Sequence, residues 1–142
     1  MPPADLIRAT ALETVGLLKK GAVSPLDCLD ALEARISAVD GVVNALPTLC
    51  LERARSHALA VMARPLAERG ALAGLPVAIK DLTNVAGVRT TQGSPIFADH
   101  VPTASDPLVE RLESEGGVVY AKSNTPEFGA GANTFNEVFG AT

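Results

Sequence analysis

The sequence predicts an α/β protein in which N-terminal helices lead into the start of a mixed, largely parallel sheet with covering helices. Three observations carry that expectation. Apolar residues recur at helical spacing through the first 68 positions. Two short unbroken apolar runs follow, "LPVAI" at 75–79 and "VVYA" at 118–121. Between them lies one more helical pattern, "LVERLESE" at 108–115. Strand, crossover helix and strand make a βαβ unit, and strands that are continuously apolar rather than alternating fit a parallel sheet covered on both faces.

Taken in order, residues 5–20 read as a first helix, with Ile7, Ala11, Val15 and Leu18 on one face and Leu12 beside them. Lys19 and Lys20 suit the negative end of its dipole, and Gly21 suits the position just past its end. "SPLD" opens a second helix: Ser24 caps, Pro25 fits the first turn and Asp27 faces the free N–H groups. Its apolar face is Leu29, Leu32, Ile36 and Val39, and Asp40-Gly41 is expected to stop it. "VVNALP" reads as a short extended stretch. A third helix is expected over 50–68, with Leu51, Ala54, Ala58, Leu59, Met62 and Leu66 on one face and Pro65 bending or ending it. Asp106-Pro107 starts the crossover helix and Gly116-Gly117 ends it. Residues 81–105 form a long Gly/Pro/Thr-rich connection, of the kind that often carries function. The whole of 1–142 is read as one partial domain, helical over 5–68 and βαβ over 74–142.

Composition narrows the function classes. The chain has 142 residues, is 47% hydrophobic and 20% charged, which suits an ordinary globular core rather than disorder. Its net charge is −4 with Lys and Arg scattered, so no nucleic-acid footprint is expected. No apolar run reaches membrane-spanning length and the N-terminus has no apolar signal core, which points to the cytoplasm. Cys28 and Cys50 make no CxxC pair and read as small buried hydrophobes. Aromatic residues are only 4%, so the core must rest on Ala, Leu and Val.

In a parallel sheet ligands bind beyond the strand C-termini. Both expected strands end there in lysine, Lys80 and Lys122, followed by Asp81 and by Ser123, Asn124 and Thr125. A lysine at the mouth of an apolar strand is expected to be partly desolvated, which favours its neutral, basic form. A nearby Asp81 pushes the other way. The residues leave two readings open for each lysine: a general base, or a strand-end charge reaching solvent. "GAGANT" at 129–134 lacks the spacing of a phosphate loop and reads as a turn. His57 on a helix and His100 in a loop have no partners that suggest a catalytic arrangement. Ser94 in "TTQGSP" reads as a turn residue, and no residues have metal-ligand spacing.

Four pieces in order resemble the amidase signature family: "GLPVAIKD" its lysine strand, "AGVRTTQGSP" the following loop, "SDPLVERLESEGGVVYAKSNTPEFG" its helix, strand and Asn-x-x-Glu-Phe turn, and "NEVFGAT" the lead-in to its glycine/serine-rich signature. The resemblance implies an incomplete amidase-signature fold. It also implies a hydrolase that cleaves carboxamide C–N bonds with a serine nucleophile, a second serine in a cis peptide and a lysine as base at the end of the relay. The lysine position matches Lys80. Asp81, Ser123, Asn124 and Thr125 are then site-edge candidates, and Lys122 a structural residue. No metal or organic cofactor is implied, and the expected partner is a small-molecule amide.

The sequence departs from the family pattern in one respect. It contains no Gly-Gly-Ser-Ser-Gly-Gly segment, so neither serine is present, and none of Ser94, Ser105, Ser114 or Ser123 inherits the nucleophile role. The chain alone is therefore expected to be inactive, and its open sheet edge to favour self-association. The A subunit of a tRNA-dependent amidotransferase, which shares these motifs, is an alternative. A truncated, non-catalytic structural or interaction module is another.

Overall fold

The computed structural model describes residues 6–142. The start of the expected first helix, at residue 5, lies outside the described residues. That helix is shorter than its periodicity suggests. Residues 7–9 form a turn, and α1 spans Ala11–Lys19. Thr10 is the cause. Its hydroxyl accepts from the Glu13 N–H while the Glu13 carboxylate accepts from the Thr10 N–H, a capping box that starts the helix afresh. The buried face turns to Thr14 and Leu18, leaving Leu12 83% exposed. At the other end Gly21 sits at φ +67 and donates to the Leu18 carbonyl, as Ala22 does to Leu17.

Helix α2, Pro25–Val43, has the expected start: Ser24 and Asp27 form a reciprocal capping box and Pro25 occupies the first turn. Its end is later than Asp40-Gly41. A glycine within a helix lowers stability without compelling a stop, and the left-handed residue here is Asn44, at φ +54. The Asp40 carboxylate accepts from the N–H groups of Ala45 and Leu46 and so guides the chain out of the helix. The extended stretch expected at "VVNALP" accordingly falls downstream, as β1, Thr48–Leu49. Helix α3 spans Leu51–Met62 and stops short of Pro65, with a single 3-10 turn at Leu66–Glu68 beyond it. Leu59 and Leu66 are exposed, whereas Val61 is fully buried.

The parallel unit is present. β2, Pro76–Lys80, and β3, Val118–Ser123, pair in parallel, with α4, Pro107–Ser114, as the crossover. β1 adds an antiparallel strand on the other side of β3, giving the order β1-β3-β2. The sheet is thus mixed and three-stranded, not the two-stranded one implied by the apolar runs alone. A two-residue strand beginning in Thr carries too little pattern to be read from sequence. A small hairpin follows, β4 (Phe135–Asn136) with β5 (Gly140–Ala141).

The core lies on both faces of β3. On one face Leu29, Ala54 and Ala58 of α2 and α3 pack against Val118, Tyr120 and Ala121. On the other, Val85, Val88 and Val109 pack with Ile79 and Val119. β3 presents Tyr120 and Ala121 to the same face because the register slips by one residue between Val77 and Ala78. Such a bulge reverses the alternation beyond it and re-aims the next side chain. Lys122 is the residue re-aimed, toward the face of Val119 and the 81–105 loop. No helix among the described residues is long and apolar enough to cross a membrane.

Candidate active-site edge

The C-terminal ends of β2 and β3 lie side by side, with Lys80 in register with Ser123. This edge brings together all five expected site residues, but it gives the two lysines opposite environments. Lys80 is exposed, which corrects the expectation of a desolvated Lys80. Lys122 is fully buried. Strand alternation places Lys80 on the face of Ala78, opposite Ile79, so the pleat separates it from the next residue, Asp81.

Asp81 therefore does not pair with Lys80. It is fully buried, and its carboxylate lies 3.3 Å from the Lys122 ammonium. The Thr91 N–H donates to both carboxylate oxygens at 3.2 Å and the Thr91 hydroxyl donates to one at 2.5 Å. Lys122 donates to the Thr83 carbonyl at 2.7 Å and to the Thr90 hydroxyl at 2.8 Å. Burial pulls the Lys122 pKa down, while the charge and hydrogen bond of Asp81 act upward. The pair ties the start of the 81–105 loop to β3. The backbone does the same: Asp81 N–H donates to the Ser123 carbonyl and Gln92 N–H to the Asp81 carbonyl. This long connection is a packed element with Val85, Thr90, Thr91 and Ser94 fully buried, not a loose loop.

Ser123 is half-buried at the rim. Asn124 is buried and works inward. Its amide N–H groups face the carbonyls of Asn44 and Gly140 and the Thr142 hydroxyl, and its side-chain oxygen accepts from Thr125 N–H and from the Asn136 amide. Thr125 is fully buried and its hydroxyl donates to the Pro126 carbonyl. Asn124 and Thr125 thus join the edge to the β4–β5 hairpin rather than presenting groups to solvent.

Several contributors carried no readable signal. Ser94 donates to the Glu127 carboxylate at 2.6 Å, linking "TTQGSP" to the Asn-x-x-Glu-Phe turn. Asn44 donates to the Phe139 and Ala141 carbonyls, and Asn136 to Asn124 and Thr125. One buried acceptor of the loop, Asn84 Oδ1, has no hydrogen-bond partner among the described residues. His57 lies 3.6 Å from Glu113, which also forms a two-pronged pair with Arg53 that ties α3 to α4. Among the described residues no His, Cys, Asp and Glu group is arranged to hold a metal ion. An open depression beside the hairpin, lined by Pro126, Phe128, Phe135 and Asn136 among others, does not include Lys80.

A parallel strand pair with an exposed lysine at the C-terminal end of β2, beside a packed polar loop, defines an α/β protein. The chain belongs to the amidase family, whose profile matches residues 27–142. It is 37% identical over 140 residues to the A subunit of the glutamyl-tRNA(Gln) amidotransferase from Anaeromyxobacter dehalogenans (strain 2CP-C), covering 97% of this chain and 28% of that protein. The protein of the same name from Salinispora tropica is 40% identical over 140 residues, with the same coverage. Among solved structures, one from a vestigial protein complex related to the origins of an s-triazine catabolic enzyme superposes with a TM-score of 0.84 at 34% identity, over 93% of this chain and 30% of that one. A 6-aminohexanoate cyclic dimer hydrolase superposes at 0.83 with 27% identity, over 94% and 27%. The chain therefore spans under a third of the length of these relatives.

Proposed function

We propose that this chain is the lysine-bearing part of an amidase that cleaves carboxamide C–N bonds by a serine–serine–lysine relay, with Lys80 as the base. The position of Lys80 carries the reading. It is exposed at the binding edge of the parallel strands, in register with Ser123, and free of the ion pair that occupies Lys122. A base that must take and return a proton has to be reachable and uncommitted. The serine nucleophile, its partner serine and the backbone N–H groups that stabilise the oxyanion belong to a Gly-Gly-Ser-Ser-Gly-Gly segment that this sequence does not contain. The 142 residues alone accordingly do not hydrolyse amides. Asp81, Asn124 and Thr125 hold the edge in shape, and Ser123 lines its rim. The substrate is a small-molecule amide, no cofactor takes part, and a cytoplasmic setting suits the free thiols of Cys28 and Cys50.

The test uses this chain within a longer amidase polypeptide that supplies the serine segment. Lys80→Ala should lower kcat/KM for amide hydrolysis by about three orders of magnitude or more, with an unchanged circular dichroism spectrum. Retention of near-full activity overturns the assignment.

The names of the relatives favour a second reading, in which the longer protein is the A subunit of a tRNA-dependent amidotransferase. Its partners would then be the other proteins of that assembly. Release of ammonia from glutamine that rises sharply when those proteins and charged tRNA are added supports it. Hydrolysis of simple amides by the isolated polypeptide at an undiminished rate supports the first reading.

A further inference from the structure

A strained turn in the 81–105 loop grips the residue that follows Lys80. Ser94 N–H donates to the Thr91 carbonyl at 3.0 Å, closing a turn whose central residues, Gln92 and Gly93, both take positive φ, +55 and +66. Glutamine seldom adopts that conformation, and such strain persists only where the surroundings over-determine it. Here they do. The Gln92 carbonyl accepts from Phe128 N–H at 2.8 Å, and a side chain at Gly93 would start 2.9 Å from the Thr125 carbonyl oxygen. Turned this way, the segment aims its donors at Asp81. Thr91 N–H donates to both carboxylate oxygens at 3.2 Å, and the Thr91 hydroxyl donates to one of them at 2.5 Å. Gln92 N–H donates to the Asp81 carbonyl at 2.9 Å, and the Thr91 hydroxyl is itself held by Gly93 N–H at 3.0 Å. Asp81 N–H donates in turn to the Ser123 carbonyl at 3.0 Å, so every polar group of Asp81 is engaged, and both Asp81 and Thr91 are fully buried. On the near side of the same peptide bond, the Lys80 carbonyl accepts from Thr83 N–H at 3.0 Å. The peptide between Lys80 and Asp81 is thus hydrogen-bonded at its C=O and at its N–H, and a planar unit held at both fixes the Lys80 Cα that belongs to it.

We propose, resting on the reading of Lys80 as the base, that Thr91 is a positioning residue for it: the Thr91–Ser94 turn clamps Asp81, and the clamp acts along the main chain to fix where the Lys80 side chain starts and which way it points. No contact between the two side chains is needed, because they leave the strand on opposite faces and share only the backbone. A proton relay needs its groups placed within about half an ångström, and a misplacement of ~1 Å can cost about a hundredfold in rate.

Two measurements test it. In the 142-residue chain, amide hydrogen exchange at Asp81 and Gln92 reads the clamp without reference to catalysis. Thr91→Val keeps the side-chain volume and the N–H donor but removes the hydroxyl. It should speed exchange at Asp81 and Gln92 by about tenfold or more while β3 is unchanged, and Thr91→Ser, which keeps the hydroxyl, should restore slow exchange. In the longer amidase polypeptide that tests Lys80, Thr91→Val should lower kcat by about ten- to a hundredfold with KM within about twofold, since a base acts in the chemical step and not in binding. Thr91→Ser should recover most of that kcat. A role confined to stability would lower the melting temperature and leave kcat of the folded enzyme unchanged. That result overturns the proposal, as does unchanged exchange in a folded Thr91→Val chain. Should Thr91→Val not fold, the unmodified chain decides: exchange at Asp81 and Gln92 within about tenfold of the slowest amides of β3 supports the clamp, and faster exchange overturns it. Full activity in Lys80→Ala would overturn the base reading alone, with the exchange results still reporting the clamp on Asp81.

Discussion

At the scale of single residues, the buried ion pair is the feature with the largest consequence for stability. Asp81→Asn leaves the Lys122 ammonium in the interior with neutral partners only, and removing one member of a buried pair costs about 3–5 kcal/mol. Urea denaturation should show the loss, with the midpoint falling and the slope unchanged. His57 gives a pH-dependent counterpart. Burial lowers its pKa from 6.5, and Glu113 only partly offsets this. A histidine whose folded pKa lies below its unfolded one binds fewer protons when folded, so its contribution is present above pH 6.5 and is lost as pH falls from there through the folded pKa. Stability should therefore decline on acidification below about pH 6.5, and His57→Gln should flatten that part of the curve, measured by thermal melts at stepped pH. At this scale the sequence was a partial guide. The position of Lys80 at a strand mouth was legible because apolar run, lysine and polar loop are adjacent. The exchange of environments between Lys80 and Lys122 was not, because a bulge created by pairing two distant segments decides which face Lys122 takes.

At the scale of elements, ends were harder to read than centres, and in each case a local interaction outweighed periodicity. Ser24, Pro25 and Asp27 announced α2 correctly, since a capping box is a contact between neighbours. The same motif at Thr10 and Glu13 interrupted a regular apolar pattern and delayed α1. Gly41 did not end α2 because nothing packs where its side chain would be and the helix simply continues past it. Gly116 shows the opposite case. It adopts φ +83, and a methyl group there would sit 2.0 Å from the Arg69 carbonyl oxygen. Backbone cannot yield as a side chain does, so Gly116→Ala should cost about 2 kcal/mol or more, combining an unfavourable left-handed alanine with a clash at the turn that feeds β3. A melting temperature within a degree of the unmodified protein would contradict this.

At the scale of the molecule, the α/β class and the parallel pair were readable because two unalternating apolar runs flank one helical pattern. The antiparallel β1 and the docked hairpin were not, since their placement depends on partners about 70 to 100 residues away. That distance also bears on the order in which the molecule is assembled. The Asn44 amide binds the carbonyls of Phe139 and Ala141, contacts separated by 95 and 97 residues, and Asn124 joins the same cluster. Closing so long a loop is entropically unfavourable until the elements in between have condensed. The asparagine cluster should thus be among the last parts to form. In stopped-flow measurements Asn44→Ala should speed unfolding while leaving the folding rate within about twofold, and a folding rate slowed in proportion to the lost stability would place the cluster in the nucleus instead. Because the cluster seats residues 140–142 beside the end of β3, the C-terminal hairpin is a late clasp, closed over a strand edge that is already built.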